Sequence, residues 1–375
     1  MTDKQYNRQL SILALTRVQG LKAAHICSIL SATDNVEELF SSPDAVYDIL
    51  PAATPALVAA LSNKECIERA RQELDFAQGK GIKITCIGDE DYPCRLADCD
   101  DAPPVIYTLG NSNLNAKRIV SIVGTRRATE YGKDICCAFV ADLARMLPDT
   151  LIVSGLAYGI DVCAHRAALK AGLPTIGVLA HGLDRIYPAA HRSVAKEMVA
   201  NGGGVLTEFM SGTEPLKPYF LQRNRIVAGI ADATVVIESP SHGGSLVTAS
   251  IAQSYMRDCF AFPGRVNDQY SIGCNELICR NRAALITSAY DFVEAMNWGG
   301  AVKDSRPRQA ELFPELSPME QRLLDLLREN RDGMQLNAIV VALNLPVNQL
   351  MPLLFELEMK DLIRTQAGGA YRAIV

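Results

Sequence analysis

The residues best equipped for chemistry sit in a few short stretches of the middle of the chain. Gly124-Thr125-Arg126 ends the apolar run 119–123. Glycine lets a backbone approach a ligand closely, threonine offers a hydroxyl and a helix-capping oxygen, and the arginine guanidinium is a fixed fork of donors suited to a phosphate. Ser154-Gly155-Leu156-Ala157-Tyr158-Gly159-Ile160-Asp161 follows the run 151–153 and supplies a hydroxyl, flexible backbone and amides at a helix start. Asp161 there is placed to cap the helix or to hold a neighbouring arginine. Gly243-Gly244-Ser245 opens a further helical pattern after the run 234–237. Phe220-Leu221-Gln222-Arg223-Asn224-Arg225 sets an aromatic ring beside two arginines. Next to a groove, such a ring stacks a base while the arginines take phosphates. His181-Gly182-Leu183-Asp184 with Tyr187-Pro188 closes another unit, where Asp184 and Arg185 read as a structural ion pair. Gly202-Gly203-Gly204 precedes a strand pattern, so it reads as a turn rather than a phosphate loop.

Equipment for bond-making is missing from the pattern. Neither Gly-x-Gly-x-x-Gly after the first run nor Gly-x-x-x-x-Gly-Lys-Ser/Thr occurs. No nucleophile stands beside His165, which reads as a packed helix residue. The eleven cysteines are scattered, no Cys-x-x-Cys pair exists, and the five histidines do not gather near Cys94/Cys99 or Cys274/Cys279. The residues therefore predict no metal site and no cofactor, and thiols rather than disulfides. What remains is a phosphate-binding edge, which favours binding over turnover.

A sheet must position these turns. From residue 119 to 298, strand-like runs at 119–123, 151–153, 175–179, 204–206, 234–237, 259–261 and 284–286 alternate with helical patterns. That alternation argues an α/β, doubly wound parallel sheet covered on both faces, whose successive turns gather at the carboxyl edge of the strands. On this topology Arg126, Arg223 and Arg225 are expected to converge on one pocket. Residues 1–78 read as a helical domain, with a degenerate helix-hairpin-helix turn at Val18-Gln19-Gly20 that fits packing better than phosphate clamping. Residues 80–110 hold two short apolar runs around acidic turns and Pro103-Pro104, expected as edge strands or a linker leading into a domain that spans 79–298. Residues 299–316 read as a linker. Beyond it, Ser317-Pro318-Met319-Glu320 caps the first of three helical patterns, and two strand patterns follow around Gly368-Gly369, the layout of a winged helix over 317–375.

Charge sharpens the picture. The net charge is −5, but residues 116–298 carry 18 basic and 16 acidic side chains, against 10 and 16 in residues 1–115 and 9 and 10 in residues 299–375. Only the middle segment is net positive, as a local phosphate pocket on an acidic protein requires. The third helical pattern of the tail holds one lysine and three acids, so a protein-contact or regulatory role is expected of it rather than DNA binding. No apolar run approaches the ~20 residues of a membrane span, and the first ten residues lack the apolar core of a secretory signal, so a cytoplasmic protein is expected.

Taken in order, IVGTR with Tyr131-Gly132, SGLAYGID with Ala164-His165, HGLDRIYP, Thr207-Glu208-Phe209, Gln222-Arg223-Asn224-Arg225, GGSLVTA, Phe262-Pro263-Gly264 and SIGCNELI resemble the DNA-processing protein A family, also called Smf. The resemblance covers nearly the whole chain. It implies an extended Rossmann-like domain flanked by an N-terminal helical domain of helix-hairpin-helix or SAM-like type and a C-terminal winged helix. It further implies a homodimeric, non-enzymatic protein of natural transformation that binds and protects incoming single-stranded DNA and helps load the RecA recombinase. The DNA contacts it implies are Gly124, Thr125, Arg126, Ser154, Gly155, Gly159, Phe220, Arg223, Asn224, Arg225, Gly244 and Ser245. Thr125 stands where the family usually has serine, Leu221 where it has proline, and Gly243 where it has serine. The competing class is a hydrolase of nucleoside monophosphates on a similar sheet, but its Pro-Gly-Gly-x-Gly-Thr turn is not matched by Ser241-His242-Gly243-Gly244-Ser245.

Overall fold

A computed structural model describes residues 3–33, 35–299, 316–330, 333–360, 362–365 and 370–373. The chain divides into two compact units, residues 1–300 and 301–375. The linker expected at 299–316 lies, apart from its two end residues, outside the described residues, as does the Gly368-Gly369 turn.

Among the described residues of the first unit, nine strands form one sheet: β1 (Lys83–Cys86), β2 (Val105–Gly110), β3 (Arg118–Val123), β4 (Thr150–Ser154), β5 (Thr175–Val178), β6 (Gly204–Thr207), β7 (Ala233–Val236), β8 (Asp258–Ala261) and β9 (Ala284–Leu285). Their order is β1-β2-β6-β5-β4-β3-β7-β8-β9. The pairs from β6 through β9 are parallel, while β2 runs antiparallel to both β1 and β6. The sheet is therefore doubly wound, and β2 is an interior strand rather than an edge. Because side chains alternate across a strand, Ile119 and Val123 enter one apolar core and Val120 and Ile122 the other. The helices Lys217–Gly229 and Gly244–Ser254 contribute to the first core, and Glu130–Met146 and Ile160–Ala171 to the second. Burial on both faces explains why these strands are rich in Val and Ile.

The N-terminal helices, from Asp3–Leu15 to Lys64–Lys80, share a third core with Cys86, Val105, Tyr107 and Met210. A buried carboxylate ties this layer to the loop after β6: Glu73 accepts from the Ser211 amide at 2.9 Å and its hydroxyl at 2.5 Å, and pairs with Arg69 at 2.8 Å.

The second unit holds the helices Pro318–Glu329, Leu336–Leu343 and Val347–Met359, and three strands, β10 (Met334–Gln335), β11 (Ile363–Thr365) and β12 (Ala370–Ala373), in the order β10-β12-β11. Ser317 and Glu320 make the expected capping box, with Pro318 in the first turn. Leu323, Leu327, Ile339, Leu350, Leu354 and Leu357 fill its core. Among the described residues no single helix is long and apolar enough to cross a membrane.

Candidate functional site

Strand order reverses between β3 and β7, and in an open α/β sheet ligands bind in the crevice at that switch point, beyond the carboxyl ends of the strands. A cleft of ≈ 260 Å³ occupies this place. It is lined by Gly124, Thr125 and Arg126 after β3, by Gly155 and Asp161 after β4, by Gly243, Gly244, Ser245 and Thr248 after β7, and by Phe220, Leu221, Arg223 and Asn224 of the helix Lys217–Gly229.

The turn after β3 is pinned from both sides. Thr125 donates its amide to the Glu238 carbonyl at 2.7 Å, and its own carbonyl accepts from the Ile160 amide at 3.2 Å. Its hydroxyl accepts from the Arg127 amide at 3.1 Å, so Thr125 shapes the turn and does not cap the helix. Thr129 is the cap: the helix starts at Glu130, and Thr129 accepts from the Gly132 amide. The Glu238 carboxylate in turn accepts from the Thr129 amide and hydroxyl at 3.0 and 2.5 Å, a long-range anchor at the positive end of that helix. Nothing in the local pattern of 121–132 announces it.

Arg126 is exposed, and its guanidinium lies 5.4 Å from the centroid of the Phe220 ring. Phe220 in turn meets Tyr187, with centroids 5.9 Å apart. The cation is thus held over an aromatic face without a paired carboxylate among the described residues. Leu221 lines the same cleft and is exposed.

Arg223 forms the wall. It is buried, and Nη1 donates to the carbonyls of Gly155 and Val178, both at 2.6 Å, while Nε has no partner among the described residues. Burial lowers its pKa to about 10; Asp161 opposes the shift and Arg126 adds to it. Burial also pushes the Asp161 carboxyl above its ordinary value, against the pull of Arg223 and of the Ala157 amide. Gly155 is required here, because a Cβ at that position would overlap the Arg223 guanidinium. Gly159 (φ 78°) has a left-handed conformation, and a Cβ there would strike the Thr125 carbonyl. Ser154 lies behind the cleft, donating to the Ile122 carbonyl at 2.6 Å, and Ser245 donates to the Ser239 hydroxyl at 2.8 Å.

Arg225 corrects the expected convergence. It faces away from the cleft, paired with Glu208 and donating to the Asp101 carbonyl at 2.6 Å. Residues two apart on a helix do not share a face, so Arg223 and Arg225 cannot serve one pocket. His165 is a packed residue: its Nδ1 lies 2.7 Å from the Thr175 hydroxyl, which already donates to the Ile152 carbonyl, so Nδ1 carries the hydrogen. Burial lowers its pKa to about 3, keeping the ring neutral. His181 is also structural, its Nε2 accepting from the Tyr187 amide at 3.1 Å. That bond sets the loop from which Tyr187 reaches Phe220, and a tyrosine directly before Pro188 was its only sequence signal. Asp184 and Arg185 pair at 3.0 Å as expected. Among the described residues no group of three or more His, Cys, Asp or Glu could hold a metal ion.

Residues 83–297 match the family model described as DNA recombination-mediator protein A, and residues 307–369 match the DprA winged helix domain. A putative DNA processing protein DprA of Mycobacterium tuberculosis is 35% identical over 315 residues, 80% of each chain. The DNA processing protein DprA of Streptococcus pneumoniae is 35% identical over 272 residues, 72% of this chain and 93% of its own. The X-ray structure of the S. pneumoniae protein superposes with a TM-score of 0.63 at 32% identity, covering 79% of this chain and 98% of that one. DNA processing protein A from Helicobacter pylori, whose structure concerns a single-stranded DNA binding mode, gives a TM-score of 0.52 at 30% identity over 58% of this chain and 96% of that one.

Proposed function

From the premise that the chain belongs to the DNA recombination-mediator protein A family, we propose that it binds single-stranded DNA in the cleft at the β3/β7 switch point. One observation carries this reading: a free, exposed arginine held over a phenylalanine ring, in a cleft walled by a second, buried arginine. Arg126 takes a phosphate as a bidentate fork. Phe220, flanked by Tyr187, offers a face on which a base stacks, worth ~1–3 kcal/mol per base. Gly124, Gly155, Gly159 and Gly244 keep the turns low enough for a backbone to approach, while Thr125, Asn224 and Ser245 supply polar edges. Arg223 acts through the wall: its charge raises the potential in the cleft while its guanidinium holds the turns after β4 and β5 together. Asp161 balances that buried charge. The cleft thus has the parts for holding a strand, and the reading is one of binding. In the cell this fits a cytoplasmic, homodimeric protein of natural transformation that protects incoming strands and hands them to the RecA recombinase.

The test is titration of single- and double-stranded oligonucleotides across salt. Single-strand affinity should fall with salt at a log–log slope of ~−0.7 per phosphate contact and be indifferent to base sequence. An affinity independent of salt, or a preference for duplex, would refute the assignment. Release of free base from nucleoside monophosphates would move the protein to the hydrolase class.

A further inference from the structure

We propose that Cys163 and Cys137 form a reversible disulfide site reactive towards hydroperoxides, with Cys163 the attacking thiol and Cys137 the thiol that resolves it. Cys137 lies on the helix Glu130–Met146 and Cys163 on the helix Ile160–Ala171, which pack against each other over one face of the sheet. Their sulfurs are 3.8 Å apart, in contact. A disulfide bond of ~2.05 Å needs that gap to close by under two ångströms, within the reach of side-chain rotation. Access is graded along the pair: Cys137 is exposed, Cys163 half-buried and the adjacent Cys136 buried. The two exposed thiols elsewhere, Cys94 and Cys279, have no second thiol at hydrogen-bonding distance among the described residues.

The surroundings assign the roles. Cys163 is lowered to about 7, because hydrogen bonds with the Cys136 and Cys137 thiols favour its thiolate and the Lys133 and Arg166 cations lie near, with burial acting the other way; as a thiol it lies 3.8 Å from the Lys133 carbonyl. Cys137 is pushed up to about 11, by burial and by the neighbouring Cys163. The thiolate is the nucleophile, so attack starts at Cys163 while Cys137 keeps its proton. The Cys163 thiolate attacks one oxygen of the hydroperoxide, the O–O bond breaks, and the departing oxygen leaves with a proton as water or alcohol, giving a sulfenic acid. Cys137 sulfur then attacks the Cys163 sulfur, the S–O bond breaks, and the thiol proton leaves with the hydroxyl as water. Two thiols lose two electrons in all, and the peroxide takes them up. A dithiol reductant reverses the bond by exchange.

The pair lies on the two helices that follow β3 and β4. Cys163 follows Asp161 by two residues, and the Glu130–Met146 helix springs from the Thr129 cap. A bridge would tie together the two helices whose starts carry the turns after β3 and β4. The proposal does not depend on DNA binding.

The test treats the full chain with hydrogen peroxide, alkylates the remaining thiols and maps tryptic peptides. The expected product joins peptide 134–145 to peptide 146–166, two hydrogens lighter than their sum and released by dithiothreitol. Cys137→Ser should lose the bridge and carry Cys163 to the sulfinic acid, whereas Cys136→Ala should still form it, more slowly, because one of the thiols that favour the Cys163 thiolate is gone. Cys94 and Cys279 serve as internal references for exposed thiols without a neighbour. The proposal falls if these two are oxidised while peptides 134–145 and 146–166 stay unlinked, or if Cys137→Ser retains the bridge.

Discussion

At the switch point of the sheet an exposed arginine lies over a phenylalanine ring with no carboxylate paired to it among the described residues. On the helix Val347–Met359 of the second unit, the exposed residues at every fourth position, Val347, Met351, Phe355 and Met359, are apolar, and the charges between them are Glu356 and Glu358. The lysine that follows this helix is engaged by Glu320 at 2.6 Å. Of two places that a nucleic acid could be expected to occupy, one keeps its cation free and the other has none to offer. A duplex groove demands cationic contacts, and this helix presents an apolar ridge in their place. The lesson is that a fold associated with DNA binding says less than where the unpaired positive charge lies.

The strongest challenge to this contrast is Arg223→Ala. Each hydrogen bond from a charged donor contributes ~1.5–3 kcal/mol, so losing both, and baring two buried carbonyls, should lower stability by about 3 kcal/mol or more in denaturant unfolding. Single-strand binding should be lost with it. An unchanged unfolding midpoint would mean that the wall is not built on this side chain.

Arg126→Ala should do the reverse. Stability should stay within about 0.5 kcal/mol, as for surface substitutions generally, while single-strand affinity drops roughly tenfold, ~1.4 kcal/mol. Its salt slope should flatten by ~0.7. Arg225→Ala supplies the control, costing stability through its Glu208 partner and leaving the slope alone. Should Arg225→Ala flatten the slope as Arg126→Ala does, the division between the two arginines of one helix is wrong.

Removing the second unit comes next in size. A chain ending at Trp298 should keep its single-strand affinity within about tenfold, a gap of ~1.4 kcal/mol, because every turn lining the cleft lies before residue 249. A larger loss would place DNA contacts on the winged helix.

The smallest effect is a pH dependence confined to that unit. The ion pair with Lys360 and the Ser317 cap hold the Glu320 carboxyl down at about 2. A carboxylate depressed on folding stabilises fully above its unfolded pKa of ~4.3, and the contribution fades as pH falls through the folded value. Unfolding of the second unit should therefore become easier between roughly pH 4.3 and pH 2, and Glu320→Gln should be flat across that window.

Much of this was legible in the residues. β-branched runs buried on both faces mark β3, β4, β5 and β7, whereas β8 (DCFA) and the exposed two-residue β9 carry no β-branched residue and take their place from pairing with a neighbour. The Ser317–Glu320 capping box and the packed His165 are local and were readable. The start of the helix after β3 was not, because Glu238, more than a hundred residues later, selects Thr129 rather than Thr125 as the cap. The Arg223/Arg225 pairing is different: helical spacing alone separates the two, and expecting them to converge overlooked information already in the sequence. The interior place of β2 depends on a partner strand far away, which no local pattern records.

That strand has a consequence for how the protein is made. Tyr107 of β2 pairs with Thr207 of β6, about a hundred residues on. On a ribosome the first 110 residues emerge with one side of β2 unoccupied, and they must wait for β3, β4 and β5 to be synthesised before β6 arrives to close it. Contacts this distant in sequence form slowly, and an unpaired strand side is a template for wrong pairing. Nascent chains arrested before Gly204 should accordingly be cut by protease around residues 105–110, where chains arrested after residue 300 resist. Translation rate through the middle of the message thus becomes a determinant of yield.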